Sequence, residues 1–254
     1  MSYLTIRRDG STAAVLAARS HIGGRAEQQD RAYVLEREGR LFAAVCDGMG
    51  GSASGGEASR RAVEALQALA EESLGMEPVS LLSRALVEAD QAVALDEALR
   101  GSGSTLTALL LTDAGLHWAS VGDSRLYLLR GGELVPATRE HNYRLELDTL
   151  LRAGRISPAL YQSQLPRSRA LLSYLGLGGL TLYDLTRRPL AVRPGDVLLL
   201  TSDGLPGVLD AGTIRTLLAR PLPLEARAEG LLQAVLAWSG RRRLDNTTFI
   251  LIQL

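Results

Sequence analysis

The alternation of apolar and polar residues predicts groups of strands separated by pairs of helices. Strand patterns cover residues 13–19, 31–46 (two strands joined at Glu38-Gly39-Arg40), 105–111, 116–121, 125–129, 133–136, 181–187, 196–201 and 247–254. Helical spacing of apolar residues covers 57–74, 79–99, 144–153, 158–164, 213–218 and 224–238. Strands that follow one another directly favour antiparallel sheets with packed helices over a doubly wound parallel sheet.

The composition is typical of a folded protein with an aliphatic core. Of the 254 residues, 46% are apolar and only 4% aromatic, so Ala, Leu and Val must fill the interior. No repeat, linker or shift in composition divides the chain, which predicts one domain over residues 1–254. The single cysteine, Cys46, excludes an internal disulfide and a cysteine-rich zinc site.

The charge pattern excludes several classes of partner. The 28 acidic residues balance 28 basic ones, all of them arginine, which argues against a dedicated nucleic-acid or anionic-membrane binder. The longest uncharged stretch, residues 170–183, has 14 residues and is too short to span a bilayer. The first ten residues lack the apolar segment of a signal peptide, so we expect a cytoplasmic protein.

Aspartates stand at the ends of predicted strands. Asp47, Asp123 and Asp203 each follow an apolar strand, and Asp245 precedes one. Glycines beside them let the backbone approach an ion and offer carbonyl oxygens, which suits hard cations such as Mg²⁺ or Mn²⁺. An Asp-Gly pair alone is usually a turn, so four independent turns are the alternative to a metal site.

An arginine precedes a further aspartate just ahead of a strand. Arg25 stands five residues before Asp30. The planar guanidinium fork suits a phosphate group, and the alternative is a solvated arginine in a loop.

Six short motifs, taken in their order along the chain, resemble those of the protein phosphatase 2C family, the metal-dependent serine/threonine phosphatases. The motifs are Gly23-x-Arg25…Gln29-Asp30, Asp47-Gly48-Met49-Gly50-Gly51, Gly101-Ser102-Gly103-Ser104-Thr105, Gly122-Asp123-Ser124-Arg125, Ser202-Asp203-Gly204 and Asp245-Asn246-Thr247-Thr248. The resemblance runs over residues 13–254, and Met49 between the glycines resembles bacterial members. It implies an α+β fold, a four-layer αββα sandwich of two antiparallel sheets flanked by helix pairs, with a flap over residues 140–175.

The resemblance also implies metal ligands. Asp47 matches the carboxylate that bridges two metals, and the Gly48 carbonyl matches a ligand of the second. Asp203 and Asp245 match the remaining carboxylates on the first metal. Asp123 matches a ligand of a third metal found in bacterial members. The implied cofactors are two Mn²⁺ or Mg²⁺ ions, with a third as an option.

Two further residues match roles in the implied reaction. Arg25 matches the arginine that binds phosphate, and Asp30 matches a residue that holds metal-bound water. A hydroxide that bridges two cations attacks phosphorus without a protein nucleophile, and Cys46 is interpreted as a buried packing residue. Met49 stands where other members have a histidine that acts as a candidate general acid, and it cannot donate a proton.

The implied function is hydrolysis of phosphoserine and phosphothreonine in proteins. The expected partners are a phosphorylated protein and, indirectly, an opposing kinase, with no nucleic acid and no membrane, and the chain is expected to be a monomer. The alternatives are a catalytically inactive regulatory or binding module on the same fold and a small-molecule phosphoesterase. An intact set of Asp47, Asp203 and Asp245 counts against the inactive module.

Other polar residues have weaker interpretations. Arg167 and Arg169 in the flap either contact a phosphoprotein or form a solvated face. The arginines at 241–243 are interpreted as a solvated turn. The histidines have no spacing typical of metal ligands; they are His21, His117 and His141.

Overall fold

The computed structural model describes residues 2–8, 11–50, 54–238 and 244–254. Its helices are α1 Ser54–Ser73, α2 Pro78–Ala94, α3 Tyr143–Arg152, α4 Pro158–Gln164, α5 Ala211–Leu218 and α6 Leu224–Ala237. Its strands are β1 Ser2–Arg8, β2 Ser11–His21, β3 Asp30–Arg37, β4 Arg40–Met49, β5 Gly103–Ser104, β6 Leu106–Thr112, β7 Gly115–Val121, β8 Arg125–Arg130, β9 Glu133–Pro136, β10 Asp184–Leu185, β11 Val197–Thr201 and β12 Thr247–Gln253. The interpretations that concern Gly51 and residues 241–243 fall outside the described residues.

The strands form two antiparallel sheets. The first has the order β1-β2-β12-β11-β8-β9, and the second has the order β10-β7-β6-β4-β3, with β5 paired to β4. The chain passes between the sheets several times, for example from β2 to β3 and from β7 to β8. The loops at these crossings therefore have contacts with both sheets.

Three layers of apolar side chains hold the sandwich together. Alternate residues of β4 show the division, because Phe42 packs towards α1 and α2 whereas Leu41 packs between the sheets. In the first sheet, Phe249 of β12 packs towards α5 and α6, whereas Ile250 faces the other sheet. The arrangement is helix pair, sheet, sheet, helix pair, and the predicted αββα sandwich is confirmed.

Polar side chains mark the starts of several helices. The carboxylate of Glu77 accepts hydrogen bonds from the backbone N–H groups of Val79 and Ser80, with Pro78 in the first turn of α2. Asn142 caps α3 and Asp210 caps α5 in the same manner. These caps satisfy N–H groups that have no partner within the helix.

Two predicted elements are too long. The predicted helix 79–99 ends at Ala94, because Asp96 caps a separate 3₁₀ turn at Glu97–Leu99 through the backbone N–H of Ala98. The predicted strand 181–187 shortens to Asp184–Leu185, because the Thr186 hydroxyl, in place of a backbone carbonyl, accepts the backbone N–H of Trp118. Both segments use a side chain where a regular element would use backbone.

The strand β1, which the apolar pattern does not predict, pairs antiparallel with β2 along the edge of the first sheet. None of the helices in the described ranges combines the length and the apolar character that crossing a bilayer requires.

Candidate metal and phosphate site

The predicted site residues come together at one end of both sheets. Asp30 begins β3 and lies opposite Asp47 near the end of β4. In the first sheet, Thr201 at the end of β11 pairs with Arg125 and with Phe249. The segments that carry Asp123, Asp203 and Asp245 therefore leave the first sheet at the same end.

Asp30 is held from the opposite sheet. Its side chain is buried, and the Ser202 hydroxyl donates to its Oδ2 over 2.8 Å. The same hydroxyl oxygen accepts the backbone N–H of Thr248 at 3.0 Å. The other carboxylate oxygen of Asp30, Oδ1, is buried and has no hydrogen-bond partner. One oxygen of Asp30 is thus fixed, and the other is left for a ligand.

The loop that carries Arg25 is fastened to the segment before β12. Asn246 donates from Nδ2 to the carbonyls of Ile22 and Glu27, at 2.8 and 3.0 Å, and its Oδ1 accepts the backbone N–H of Gln29 at 2.8 Å. Arg25 itself is exposed, and its Nη2 forms an ion pair with Asp245. This pair brings the candidate phosphate-binding group to a candidate metal ligand.

Glycines allow close backbone contacts at the site. A Cβ on Gly48 would lie 2.0 Å from the carbonyl oxygen of Gly55 in α1, and a Cβ on Gly204 would lie 2.0 Å from the carbonyl oxygen of Asn246. These distances are far inside contact range, so both positions require glycine. They set the backbone next to Asp47 and Asp203.

Burial and mutual repulsion raise the pKa values of the carboxyl groups. Burial, assisted by the charge of Asp203, raises the pKa of Asp30 to about 6 against the hydrogen bond from Ser202. Burial and the charges of Asp203 and Glu140 raise the pKa of Asp123 to about 7. Carboxyl groups whose pKa values are raised by burial and by one another are candidates for a functional site.

The two central aspartates behave in the same way. Burial raises the pKa of Asp47 well above its usual range, with further contributions from Asp30, Asp203, Asp123 and Asp245. Burial and the charge of Asp245 raise the pKa of Asp203. The five carboxyl groups therefore interact electrically as one cluster.

The donor set fits divalent cations that prefer oxygen. The cluster offers carboxylates, the Gly48 carbonyl and the unpartnered Oδ1 of Asp30, with no sulfur or imidazole donor, and this suits Mg²⁺ or Mn²⁺. Among the described residues, no three His, Cys, Asp or Glu side chains converge as closely as the ligands of one ion do. The Asp245 carboxylate is turned to Arg25 instead.

The remaining candidates separate into site and structural residues. Arg169 is exposed, and its positive charge partly opposes the rise in the pKa of Asp203. Arg167 is also exposed and ends a 3₁₀ turn at Leu165–Arg167, two residues before Arg169. Cys46 is fully buried against α1 and α2, and burial raises the pKa of its thiol, which agrees with a packing role. Met49 ends β4 and offers no proton donor.

The histidines do not join the carboxylate cluster. His21 accepts the backbone N–H of Gly23 at Nδ1, and His117 is buried on β7. His141 is buried at the base of the flap, where its Nε2 lies 3.6 Å from Asp184. These positions agree with the absence of ligand spacing in the sequence.

The predicted flap is a helical excursion with a closed base. It contains α3 and α4, and its two ends meet where Asn142 bridges to Leu171 and where the backbone N–H of Tyr143 donates to Ala170. The backbone N–H of His141 donates to the carbonyl of Gly122 over 2.8 Å, directly beside Asp123. The flap base is therefore tied to the candidate site.

Comparison with known proteins agrees with this geometry. Residues 17–243 match the family model described as protein phosphatase 2C. The chain belongs to the protein phosphatase 2C family. It is 35% identical over 242 residues to the serine/threonine protein phosphatase PstP of Mycobacterium tuberculosis, and this match covers 92% of the chain. It is 30% identical over 229 residues to the protein phosphatase PhpP of Streptococcus pneumoniae, which covers 87% of the chain and 89% of PhpP.

A solved structure supports the fold directly. The catalytic domain of PstP, determined in complex with two manganese ions, matches the fold with a TM-score of 0.75 and 32% identity over 94% of this chain and 97% of that domain. The chain spans 44% of the length of full PstP. The predicted family and fold are confirmed.

Some residues that build the site had no assigned role in the sequence analysis. Ser202, Asn246, Thr105 and Ser124 all occur inside the quoted motifs, yet a motif match does not say what each hydroxyl or amide contacts. The structure shows that these side chains hold the backbone and the carboxylates in place.

Proposed function

We propose that the chain hydrolyses phosphoserine and phosphothreonine in proteins and depends on Mn²⁺ or Mg²⁺. The observation that carries this proposal is the set of aspartates that lies at one end of both sheets, with Arg25 paired to Asp245, in a chain of the protein phosphatase 2C family. The manganese ions in the PstP catalytic domain support the same choice of cofactor.

The chain's own residues would hold the cations. We assign Asp47 and the Gly48 carbonyl, together with Asp203 and Asp245, as ligands of two ions, and Asp123 as a ligand of a third. When bound, the cations supply a hydroxide nucleophile at neutral pH and Lewis-acid stabilisation of the phosphoryl oxygens.

The remaining residues orient the substrate and the attacking water. Arg25 would leave Asp245 to donate to two phosphoryl oxygens and so balance negative charge in the transition state. Asp30, with Oδ2 fixed by Ser202, would accept a hydrogen bond from water at Oδ1. Met49 supplies no proton, so the leaving alkoxide would take its proton from water or from another group.

We also propose the wider setting. The expected substrate is a phosphorylated protein whose phosphate is added by a serine/threonine kinase, and the protein is expected to act in the cytoplasm as a monomer. The whole chain, residues 1–254, is proposed to act as one catalytic domain.

The test is phosphate release from a phosphothreonine peptide in the presence of Mn²⁺. EDTA and Asp203→Ala should each lower kcat by at least about 100-fold, because both remove the cations that create the nucleophile. Glu133→Ala is the matched control, since Glu133 is an exposed carboxylate in a hairpin.

Two results would contradict the proposal. Equal activity of all the samples would exclude metal-dependent catalysis. Activity on p-nitrophenyl phosphate with none on phosphopeptides would favour a small-molecule phosphoesterase.

A further inference from the structure

Thr105 contacts the backbone of Asp47 at two points. The backbone N–H of Thr105 donates to the Asp47 carbonyl over 2.8 Å. In return, the backbone N–H of Asp47 donates to the Thr105 hydroxyl oxygen over 3.0 Å. Thr105 is buried and lies directly after β5. The two hydrogen bonds therefore attach the end of β4 to the segment between β5 and β6.

The same hydroxyl also contacts the loop that carries Asp123. Thr105 Oγ1 lies 2.7 Å from Ser124 Oγ, and both groups are buried. The Thr105 methyl group packs against Gly122, where a Cβ would lie 2.6 Å from it and where φ is +94°. Thr105 therefore touches the residues on both sides of Asp123.

These contacts bridge two carboxylates that repel each other. Asp47 belongs to the second sheet, whereas Ser124 leads into β8 of the first sheet. Asp47 and Asp123 carry like charges, which favour separation of the two side chains. A buried hydrogen bond between their supporting segments opposes that separation.

We infer that the buried hydroxyls of Thr105 and Ser124 form a positioning pair, which fixes Asp47 relative to Asp123 and sets the affinity of the site for divalent cations. The inference rests on the proposed metal-dependent function. On this inference, the Gly101–Thr105 and Gly122–Arg125 motifs act together to position Asp47 and Asp123. Groups that orient metal ligands typically change metal affinity by about 10–100-fold when they are removed.

Mn²⁺ titration by calorimetry tests the pair through three variants and one control variant. Thr105→Val keeps the shape of the side chain but leaves the Asp47 N–H without its acceptor, and Ser124→Ala removes only the bridge towards Asp123. We expect Mn²⁺ affinity to fall about tenfold or more in both. Thr105→Ser keeps the hydroxyl and should remain close to wild type.

Thr112→Val is the matched control. Thr112 is a buried threonine at the far end of β6, and its hydroxyl contacts the carbonyl of Gly115 over 3.4 Å. The variant repeats the same chemical change in the same sheet, so it should bind Mn²⁺ like the wild type even where its melting temperature changes.

Amide hydrogen exchange gives a readout that is independent of metal. Exchange at Asp47 should accelerate in Thr105→Val and stay near the wild-type rate in Ser124→Ala, since only the first variant removes the acceptor. If Thr105→Val does not fold, the contrast between Ser124→Ala and Thr105→Ser decides the affinity claim.

Three outcomes would overturn the inference. The first is Mn²⁺ affinity within twofold of wild type in Thr105→Val and Ser124→Ala, and the second is an equal loss in Thr105→Ser. If the wild-type protein itself binds no Mn²⁺, the proposed function fails. The third outcome is an Asp47 exchange rate in Thr105→Val that equals the wild-type rate, because it would show that the Thr105 hydroxyl does not hold the Asp47 backbone. This outcome can be judged even if the wild type binds no Mn²⁺, and faster exchange would then support the contact between Thr105 and Asp47.

Discussion

At the scale of single residues, the site places negative charges closer together than stability alone favours. Asp203 has its pKa raised by burial and by Asp245, although Arg169 and Arg125 act in the opposite direction. A group that is costly to ionise in the folded state reduces the stability of the protein at neutral pH. Function, in the form of cation binding, explains why such a group is present.

Asp203→Asn is expected to stabilise the metal-free protein at pH 7. Removing one charge from the cluster should raise the melting temperature by a few degrees, on the order of 1 kcal/mol. Mn²⁺ should raise the melting temperature of the wild type by mass action but not that of the variant.

Thermal melts with EDTA and with Mn²⁺ provide the measurement, and Glu133→Gln serves as an exposed control. A less stable metal-free variant, or one with the full Mn²⁺ shift, would show that repulsion within the cluster is not the dominant effect.

At the scale of elements, the site depends on how closely α1 approaches the end of β4. Gly48 and Gly55 bring the two backbones together, and Ser59 of α1 donates its hydroxyl to the carbonyl of Gln29 just before Asp30. The first turns of α1 therefore support both strands that carry the central aspartates. A side chain added at Gly48 would push the end of β4 away from α1.

Gly48→Ala is expected to destabilise the protein by about 1–3 kcal/mol, as overpacking of a close contact does. Gly230→Ala, within α6 and with open space around its Cβ position, should instead stabilise it by about 0.5–1 kcal/mol.

Urea unfolding of the two variants against the wild type checks these opposite signs. Equal changes in the free energy of unfolding would mean that β4 and α1 accommodate a side chain at Gly48 without loss of stability.

At the scale of the whole molecule, the flap is joined to the second sheet through Asp184 of β10. Arg139 donates to Asp184 from its backbone N–H and from Nε, both at 2.8 Å, and His141 lies beside the same carboxylate. β10 itself pairs with β7. One acidic group thus connects the base of the flap to the body of the protein.

The Asp184 link should make stability depend on pH in the acid range. Burial alone would raise the pKa of Asp184, but the hydrogen bonds from Arg139 and the neighbouring His141 outweigh it and lower the pKa from 3.8 to about 2. Because the folded-state pKa is the lower one, the contribution is complete above about pH 4 and is lost as the pH falls towards 2.

Asp184→Asn measures this contribution. The stability difference from wild type, on the order of 1 kcal/mol at pH 5 because Arg139 is exposed, should shrink as the pH falls to 2.5. Urea midpoints across this range in EDTA are the measurement, and a difference that stays constant would rule out ionic stabilisation by Asp184.

Much of the fold was predictable because the patterns involved are local. The strand at residues 133–136 and the helix at 158–164 have the predicted bounds. The predicted helix 79–99 was too long because the apolar spacing continues past the point where Asp96 captures the backbone. Side chains that replace a backbone partner leave no mark in the hydrophobic pattern.

The candidate site was predictable as a set of residues but not as an arrangement. The motifs identified the family and its aspartates, whose ligand roles remain proposals. The contacts of Thr105 with Ser124 and of Asn246 with Gln29 join residues that are distant in the sequence, so no local pattern encodes them.

The sequence by itself determined the family and most of the helices and strands, though not β1, because periodicity and short motifs are properties of neighbouring residues. Only the tertiary structure decided that Asp30 lies opposite Asp47, that Arg25 pairs with Asp245 and that hydroxyl groups bridge the two sheets. The physical reason is that burial and charge repulsion act through space, and they exist only once the two sheets have packed.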